Sequence, residues 1–267
     1  MAADPGSELA ARYLERCQNP DGSWSAGDPF VCARAVLALD VFGGSEEAVS
    51  GGVGYLERCQ ASDGRFPAMT PRYADAATTA YVLVVLNHFH YSKASLPISR
   101  GLLWLLENQH EDGSWPGSNR HKNTCTTSLC LRALYTYYLS GISKYRAGLS
   151  HVLEKMTVPG FFDEPVSHVC APVLNMARIG QLPDDSRAAF IRFAQKRLIP
   201  AMSAGAVADV AYLCGTLSAL GEESLAESGK QWLNFTQNAD GGYGKDLQPE
   251  SEPERTALVL LSIANQL

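Results

Sequence analysis

Hydrophobic positions along the chain follow two alternating helical patterns. Six amphipathic segments carry apolar residues three and four positions apart, which predicts helices with one buried face. They are Glu8–Cys17, Glu46–Cys59, Ile98–Asn108, Lys144–Met156, Asp184–Leu198 and Glu222–Thr236. Six further segments alternate with these and are apolar nearly all round, so as helices they must be buried on all sides. They are Phe30–Phe42, Asp75–Phe89, Thr126–Leu139, His168–Ile179, Asp209–Leu220 and Glu254–Gln266. The alternation predicts an inner ring of helices wrapped by an outer ring, an all-α (α/α)6 barrel of six helical-hairpin repeats.

A short polar phrase, Gln-x-x-Asp-Gly-x-aromatic, recurs between an amphipathic segment and the apolar segment that follows it. Its four clear copies begin at Gln18, Gln60, Gln109 and Gln237. A degenerate copy ends at Phe162, and the remnant of a sixth lies around Met202. Glycine allows the positive φ of a helix end, Asp can bond its own turn, and the aromatic can pack between units. Because the phrase is repeated, it predicts a structural joint and not a unique catalytic centre.

Composition limits the class of protein. A chain of 267 residues that is 46% hydrophobic can bury a large core, and we expect residues 1–267 to form one barrel domain. A net charge of −6 without a run of Lys or Arg argues against nucleic acid as a partner. No apolar stretch approaches the ~20 residues of a transmembrane helix, and the start lacks the apolar region of a signal peptide. Seven cysteines without paired spacing indicate reduced thiols, so we expect a cytoplasmic protein. The oligomeric state is not indicated.

The repeated phrase on an all-helical chain resembles the glutamine–tryptophan motif of the terpene cyclase and protein prenyltransferase superfamily. That superfamily includes squalene and oxidosqualene cyclases, class II diterpene cyclases and prenyltransferase β subunits. The resemblance covers essentially the whole chain and implies the same barrel, although those cyclases carry two or three such domains. Because the motif is a joint, it is specific for the fold and weak for the reaction.

Class II cyclases of this superfamily start their reaction with an Asp-x-Asp-Asp-Thr-Ala segment that opens an inner helix, and the middle Asp protonates an alkene or epoxide. In the second unit Asp75 takes the first acidic position, but Ala77 stands where the donor should be. A methyl group cannot donate a proton. In the last unit Glu254 occupies the donor-equivalent position and Arg255 follows it. The resemblance therefore implies Glu254 as the favoured proton donor, unless an ion pair with Arg255 locks it.

Other titratable residues open the inner helices of the remaining units. Asp209 opens the fifth and His168 the fourth, and with Asp75 they are lesser candidates for acid, base or orienting roles. Helix capping is the alternative interpretation, and it is strongest for Asp28 and Asp75. A proton donor must stay protonated until it acts, which requires burial or a second carboxylate to raise its pKa.

Aromatic residues near the same helix starts are candidates to bind substrate. Tyr73, Tyr81, Phe162 and Tyr212 can present ring faces to a carbocation. Packing in the core is the alternative for about half of them.

The prenyltransferase branch holds zinc with Asp-x-Cys in one unit and a His in the next, and the nearest counterparts here are Asn123, Cys125 and His168. Asn removes an anionic ligand; His121 can substitute, yet no strong Cys/His spacing is present. We therefore predict no metal and, because no glycine-rich phosphate loop or basic cluster is present, no cofactor. Arg72, Arg120 and Lys122 leave some room for a diphosphate.

These observations favour an enzyme, a cyclase or isomerase of the class II terpene cyclase-like type. It would shift a proton at the barrel mouth and fold a small apolar, prenylated or polyene-like substrate in the apolar lumen. The first alternative is a non-catalytic barrel that binds an apolar ligand or a partner protein, and the second is a zinc-dependent transferase. An enclosed pocket with convergent acids would favour the enzyme, whereas capped and dispersed acids would favour the binding protein.

Overall fold

Twelve α-helices form the described part of the chain, residues 5–118 and 123–267 of a computed structural model. The amphipathic set comprises α1 (Pro5–Arg16), α3 (Glu46–Arg58), α5 (Leu96–Glu107), α7 (Ser143–Thr157), α9 (Asp184–Ser203) and α11 (Glu223–Phe235). The apolar set comprises α2 (Pro29–Val41), α4 (Asp75–His88), α6 (Asn123–Thr136), α8 (Val166–Arg178), α10 (Val207–Ala219) and α12 (Pro253–Ile263). Within these ranges β-structure is limited to one isolated bridge between Gly244 and Ser251. The all-α prediction is confirmed.

The apolar helices form a closed inner ring. Each contacts the next in chain order from α2 to α12, and α12 contacts α2. The amphipathic helices pack outside them, and α1 of the first repeat lies against α12 of the last. Gln237 also donates a hydrogen bond to the carbonyl oxygen of Gly6 in α1 at 2.6 Å. This closure confirms the (α/α)6 barrel, and it supports our proposal that residues 1–267 are a single domain.

The repeated phrase is the joint between an outer helix and the next inner helix. Gln18 Nε2 donates to the carbonyl oxygen of Gly22 at 3.1 Å and to that of Ala48, in the following outer helix, at 2.9 Å. The other three phrases repeat this pair of bonds. Gly22 has a φ of 89°, and a Cβ there would collide with the backbone of Gly51. Trp24 is fully buried and donates from Nε1 to the carbonyl oxygen of Leu14.

A second bond fixes the insertion and rotation of four of the inner helices, α2, α4, α6 and α12. The backbone N–H of the phrase's aromatic residue donates to a threonine Oγ1 on the inner helix at 2.9 Å in three units. The pairs are Phe66–Thr79, Trp115–Thr127 and Tyr243–Thr256, and Trp24 bonds Cys32 Sγ at 3.2 Å in the first unit. The residue two positions before each threonine or cysteine therefore faces the barrel axis at the same level.

The two degenerate units depart from this joint. Phe162 lies in a 3₁₀ turn, Phe161–Asp163, between α7 and α8. In the fifth unit α9 continues to Ser203, past the expected end at Leu198, and Gly205 at a φ of 72° leads directly into α10. Loss of the phrase has thus shortened this connection to a tight turn. No helix in the described ranges is both long and apolar enough to cross a bilayer.

Candidate active site

A cavity of about 340 Å³ occupies the lumen at the end where the inner helices begin. The residues two positions before the anchoring threonine or cysteine line its upper part: Phe30, Ala77, Cys125 and Glu254. One helical turn deeper, four residues on, lie Arg34, Tyr81, Leu129 and Leu258, with Tyr212 of α10 at the same level. The lumen is therefore built in layers, and the joints set which side chain each layer receives.

Glu254 is held by two neighbours at the mouth. Arg72 Nη1 donates to both of its carboxylate oxygens at 2.7 Å, and the Tyr73 hydroxyl donates to Oε1 at 2.6 Å. Burial alone would raise the pKa of Glu254, but the Tyr73 hydrogen bond and the charges of Arg34 and Arg72 lower it below its ordinary value. The ion pair with Arg255 considered from the sequence is wrong, since Arg255 lies 3.7 Å from Glu252 instead.

Asp209 lies on the neighbouring inner helix, α10, in a different environment. Its half-buried carboxylate lines the cavity and makes no hydrogen bond or ion pair with any residue the structure describes. Burial raises the pKa of Asp209; Asp246 adds to this effect, while Arg255 and Arg197 oppose it. Of the predicted acids, this one is the best placed to keep a proton.

His168 also lines the cavity, from α8. Its Nδ1 is buried without a hydrogen bond to the described residues, 3.6 Å from Oε2 of Glu164. The structure thus brings Glu254, Asp209 and His168 to one lumen.

The counterparts of the prenyltransferase zinc ligands are differently engaged. The side-chain oxygen of Asn123 accepts a hydrogen bond from the backbone N–H of Gly117 at 2.9 Å, and Cys125 Sγ lies 3.5 Å from the carbonyl oxygen of His168. Across the described ranges, no three His, Cys, Asp or Glu side chains are grouped to hold a metal ion. His121, Arg120 and Lys122, the other residues named for zinc or a diphosphate, lie outside the described residues.

Asp75 is placed apart from this group. Its Oδ1 accepts the backbone N–H of Ala68 at 2.8 Å, its Oδ2 lies 3.5 Å from Arg65, and it does not line the cavity. Asp28 is buried and caps α2 by accepting the backbone N–H of Phe30. Asp28 therefore caps its helix, as the capping interpretation expects, whereas Asp75 holds the preceding loop and makes no cap bond to α4.

Three of the four predicted aromatic residues line the cavity: Tyr73, Tyr81 and Tyr212. Phe30, which the sequence analysis missed, stacks on Tyr73 at 4.0 Å and on Tyr81 at 4.6 Å between ring centroids. Phe162 does not line the cavity; it packs instead against Phe161 and against Phe193 of the outer helix α9. The aromatic wall is thus concentrated on α2, α4 and α10.

Two arginines in the lumen were also missed. Arg34 is 5% exposed, and Arg132, deeper in the lumen, donates to the main-chain oxygen of Leu267 at 2.9 Å. Burial lowers the pKa of Arg132 to about 10. A signal for both was present, since each is a charged residue inside a helix that the sequence predicts to be buried on all sides.

Solved structures share this fold at low sequence identity. A protein from Actinoplanes matches with a TM-score of 0.72 and 14% identity over 98% of both chains. The type II terpene cyclase MstE from Scytonema matches with a TM-score of 0.71 and 14% identity, again over 98% of both. A variant of MstE in complex with geranylgeranyl dihydroxybenzoate, its substrate, matches with a TM-score of 0.68 and 14% identity over 98% of this chain and 96% of that one. No protein-family model and no curated protein matches the sequence. At this identity the likeness establishes the terpene cyclase-like barrel fold.

Proposed function

We propose that this protein is a terpene cyclase-like enzyme that starts cyclisation or isomerisation of a small prenylated or polyene-like substrate by protonation. The observation that carries the proposal is Asp209, a carboxyl group with a raised pKa and no partner among the described residues, at the edge of an apolar, aromatic-lined lumen. A carboxylic acid in such a place can hold its proton until a substrate double bond reaches it.

The two acids at the mouth, Asp209 and Glu254, then have different roles. Asp209 is our first candidate for the donor, because its surroundings favour the neutral acid. Glu254 as the donor, which the resemblance implies, stays a prediction; its bonds to Arg72 and Tyr73 favour the carboxylate instead. An ionised Glu254 would act electrostatically, since a fixed negative charge at the mouth favours a nearby carbocation.

The proton balance needs an acid and a base. The Asp209 O–H bond breaks as a C–H bond forms at the substrate alkene, which leaves a carbocation beside the ring faces of Phe30, Tyr73 and Tyr212. Loss of a proton from carbon then gives a neutral product with a new double bond, an isomer of the substrate. His168 is our candidate to accept that proton, because its buried Nδ1 has no hydrogen bond to the described residues.

The substrate class is argued from the cavity and from the neighbouring structures. MstE variants are described in complex with geranylgeranyl dihydroxybenzoate as substrate and merosterolic acid A as product. The cavity here, about 340 Å³, is near the lower end of the range for small-molecule sites. We propose a prenylated substrate whose prenyl chain is shorter than the geranylgeranyl group of the MstE substrate.

Incubation with candidate prenylated substrates in H₂O and in D₂O tests the reaction. Protonation at carbon should give a product of unchanged mass in H₂O and one mass unit heavier in D₂O, read by mass spectrometry against a heat-inactivated control. A product without deuterium would contradict proton-initiated chemistry.

A barrel that only binds an apolar ligand or a partner is the alternative, and one observation favours it. The acid at the donor-equivalent position is tied into an ion pair with Arg72. Binding of prenylated compounds without any product, across the substrate panel, would support this alternative.

A further inference from the structure

Arg34 of α2 is a buried cation that faces the lumen. Its side chain is 5% exposed and lines the cavity one turn below the mouth. Nε and Nη1 have no hydrogen-bond partner within the described ranges. The Tyr81 hydroxyl, at the same level and equally buried, also lacks a partner there. Arg34 and Tyr81 thus both line one cavity, and each carries a buried N–H or O–H donor without a partner among the described residues.

A charged side chain in this state is costly to the folded protein. Guanidinium cannot lose its proton, and an unpaired buried charge requires a partner to offset its lost hydration. Arg34 Cζ lies 4.9 and 5.8 Å from the ring centroids of Phe30 and Tyr81, and this cation–π attraction offsets only part of the lost hydration. Glu254 is a nearby charge, but its oxygens bond Arg72 and Tyr73.

The other arginines at the cavity differ from Arg34. Arg72 bonds Glu254, Arg255 lies beside Glu252, and Arg132 bonds the main-chain oxygen of Leu267. Arg34 therefore stands out as the lumen cation that no hydrogen bond or ion pair to a described residue satisfies.

We propose that Arg34, with the Tyr81 hydroxyl, binds a carboxylate carried by the substrate. The inference rests on the proposed function, in which the lumen holds the substrate. A planar guanidinium matches a carboxylate in shape and charge, and one unsatisfied cation fits a monoanion better than a diphosphate with two or more charges. The carboxylate then lies one turn below the mouth, and the prenyl chain extends upward so that a double bond reaches Asp209.

Binding of three probes with one ten-carbon chain tests the subsite: geranic acid, geraniol and geranyl diphosphate, by calorimetry at pH 7. The wild-type protein should bind geranic acid at least about tenfold more tightly than geraniol, because burying a paired charge and its hydrogen bonds is worth at least that factor. Equal affinities for acid and alcohol would overturn the proposal. Tighter binding of the diphosphate than of the acid would overturn the choice of a carboxylate.

Arg34→Met keeps the length of the stem and removes the charge. The preference for geranic acid should disappear, while geraniol binding should stay within about threefold. Arg146→Met, the same change at an exposed site on α7, should keep the preference. The melting temperature of unliganded Arg34→Met should not fall, since the variant removes an unpaired buried charge. If Arg34→Met kept the preference for geranic acid, the carboxylate would bind elsewhere. If its melting temperature fell by a large amount, the role of Arg34 would be structural.

Two further variants keep the test decisive if Arg34→Met does not fold. Arg34→Lys should retain part of the preference, and Tyr81→Phe should reduce it by about tenfold, the lower end of the value of one hydrogen bond to a charged group. No change in either variant would contradict the subsite. These binding measurements do not depend on turnover. The subsite can therefore be wrong while product still forms, and it can be right while no product forms.

Discussion

Glu254 and Asp209 are the same kind of residue in the same kind of place, yet they have opposite properties. Both are carboxylic acids in the first turn of neighbouring inner helices, where the helix dipole favours the anion. Glu254 accepts hydrogen bonds from Arg72 and Tyr73, and its pKa is lowered. Asp209 has no such partners among the described residues, and burial raises its pKa. Position in the repeat does not decide the chemistry of an acid here; its neighbours do.

The neighbours of Glu254 come from another part of the chain. Arg72 and Tyr73 lie in the loop before α4, and ring closure brings that loop against α12. Glu254, which best matches the donor position of the family, is thereby paired with Arg72. Asp209, in a repeat without the Gln-x-x-Asp-Gly phrase, has a raised pKa. Four measurements, in order of expected effect, test this difference between Glu254 and Asp209.

The largest effect is expected for Asp209→Asn. Loss of a general acid should lower the rate of product formation by about 10²–10⁴ without loss of the fold, because the carboxamide fills the same space. The measurement is product formed per unit time, with circular dichroism to confirm folding. Asp185→Asn, in the first turn of the outer helix α9 and exposed, is the matched control and should leave the rate unchanged. An active Asp209→Asn together with an inactive Glu254→Gln would return the donor role to Glu254.

The rate should also depend on pH in a definite direction. A donor must be protonated, and Asp209 has a raised pKa, so activity should extend above the usual range of an aspartic acid. Above the pKa of Asp209, the rate should fall about tenfold per pH unit. A rate that rises through the same range would instead indicate a base that must be deprotonated, and His168 would then be the first group to replace.

A smaller effect, on stability, is expected for Glu254→Gln. Because the folded state lowers the pKa of Glu254, its carboxylate stabilises the fold above the unfolded pKa, and this contribution is lost as pH falls through the folded value. At pH 7 the variant should lower the free energy of unfolding by about 1–2 kcal/mol, and the difference should vanish in acid.

Thermal or urea unfolding at pH 7 and at acid pH provides this comparison. Glu252→Gln in the same helix start is its control, because Glu252 is more exposed and lies 3.7 Å from Arg255; we expect about 0.5 kcal/mol or less. Equal destabilisation of Glu254→Gln at both pH values would mean that its charge does not stabilise the fold.

The smallest effect is expected for Asp75→Asn. Asp75 accepts the N–H of Ala68, and in the next unit Asn123 makes the equivalent bond to Gly117 with its amide oxygen. The repeat itself therefore indicates that Asn can do this work, and stability should change by about 0.5 kcal/mol or less. Turnover should be unchanged. A large loss of turnover with intact stability would give Asp75 a direct role in the reaction.

Much of the architecture could be predicted because its signals are local. Helical periodicity and an all-apolar composition gave the twelve helices and their two rings to within a few residues, apart from the longer α9. Repetition of the Gln-x-x-Asp-Gly phrase predicted the joints, and the bond from its glutamine to the carbonyl oxygen of its glycine recurs in every clear copy. The register of the inner helices, which places Glu254 and Tyr81 in the lumen, was not predicted; it depends on the bond from the aromatic residue of each phrase to the inner helix.

The candidate site was only partly predictable because its properties depend on residues far apart in the chain. Phe162 belonged to a repeat without the phrase, so no joint held it toward the lumen, and it packs outside. Arg34 and Arg132 were overlooked because periodicity predicts that a helix is buried, but not what a single charge within it contacts. The pairing of Arg72 with Glu254 joins positions on opposite sides of the ring closure, and local sequence carries no trace of it.

The sequence by itself determined the helices, the joints and the closed double ring, because these depend on periodicity, glycine and repeated short-range bonds. Only the tertiary structure decided which acid has a lowered pKa and which a raised one, and which arginine has no partner among the described residues. The reason is physical: pKa and ion pairing are set by burial and by charges within a few ångströms, and in a barrel those charges come from different repeats.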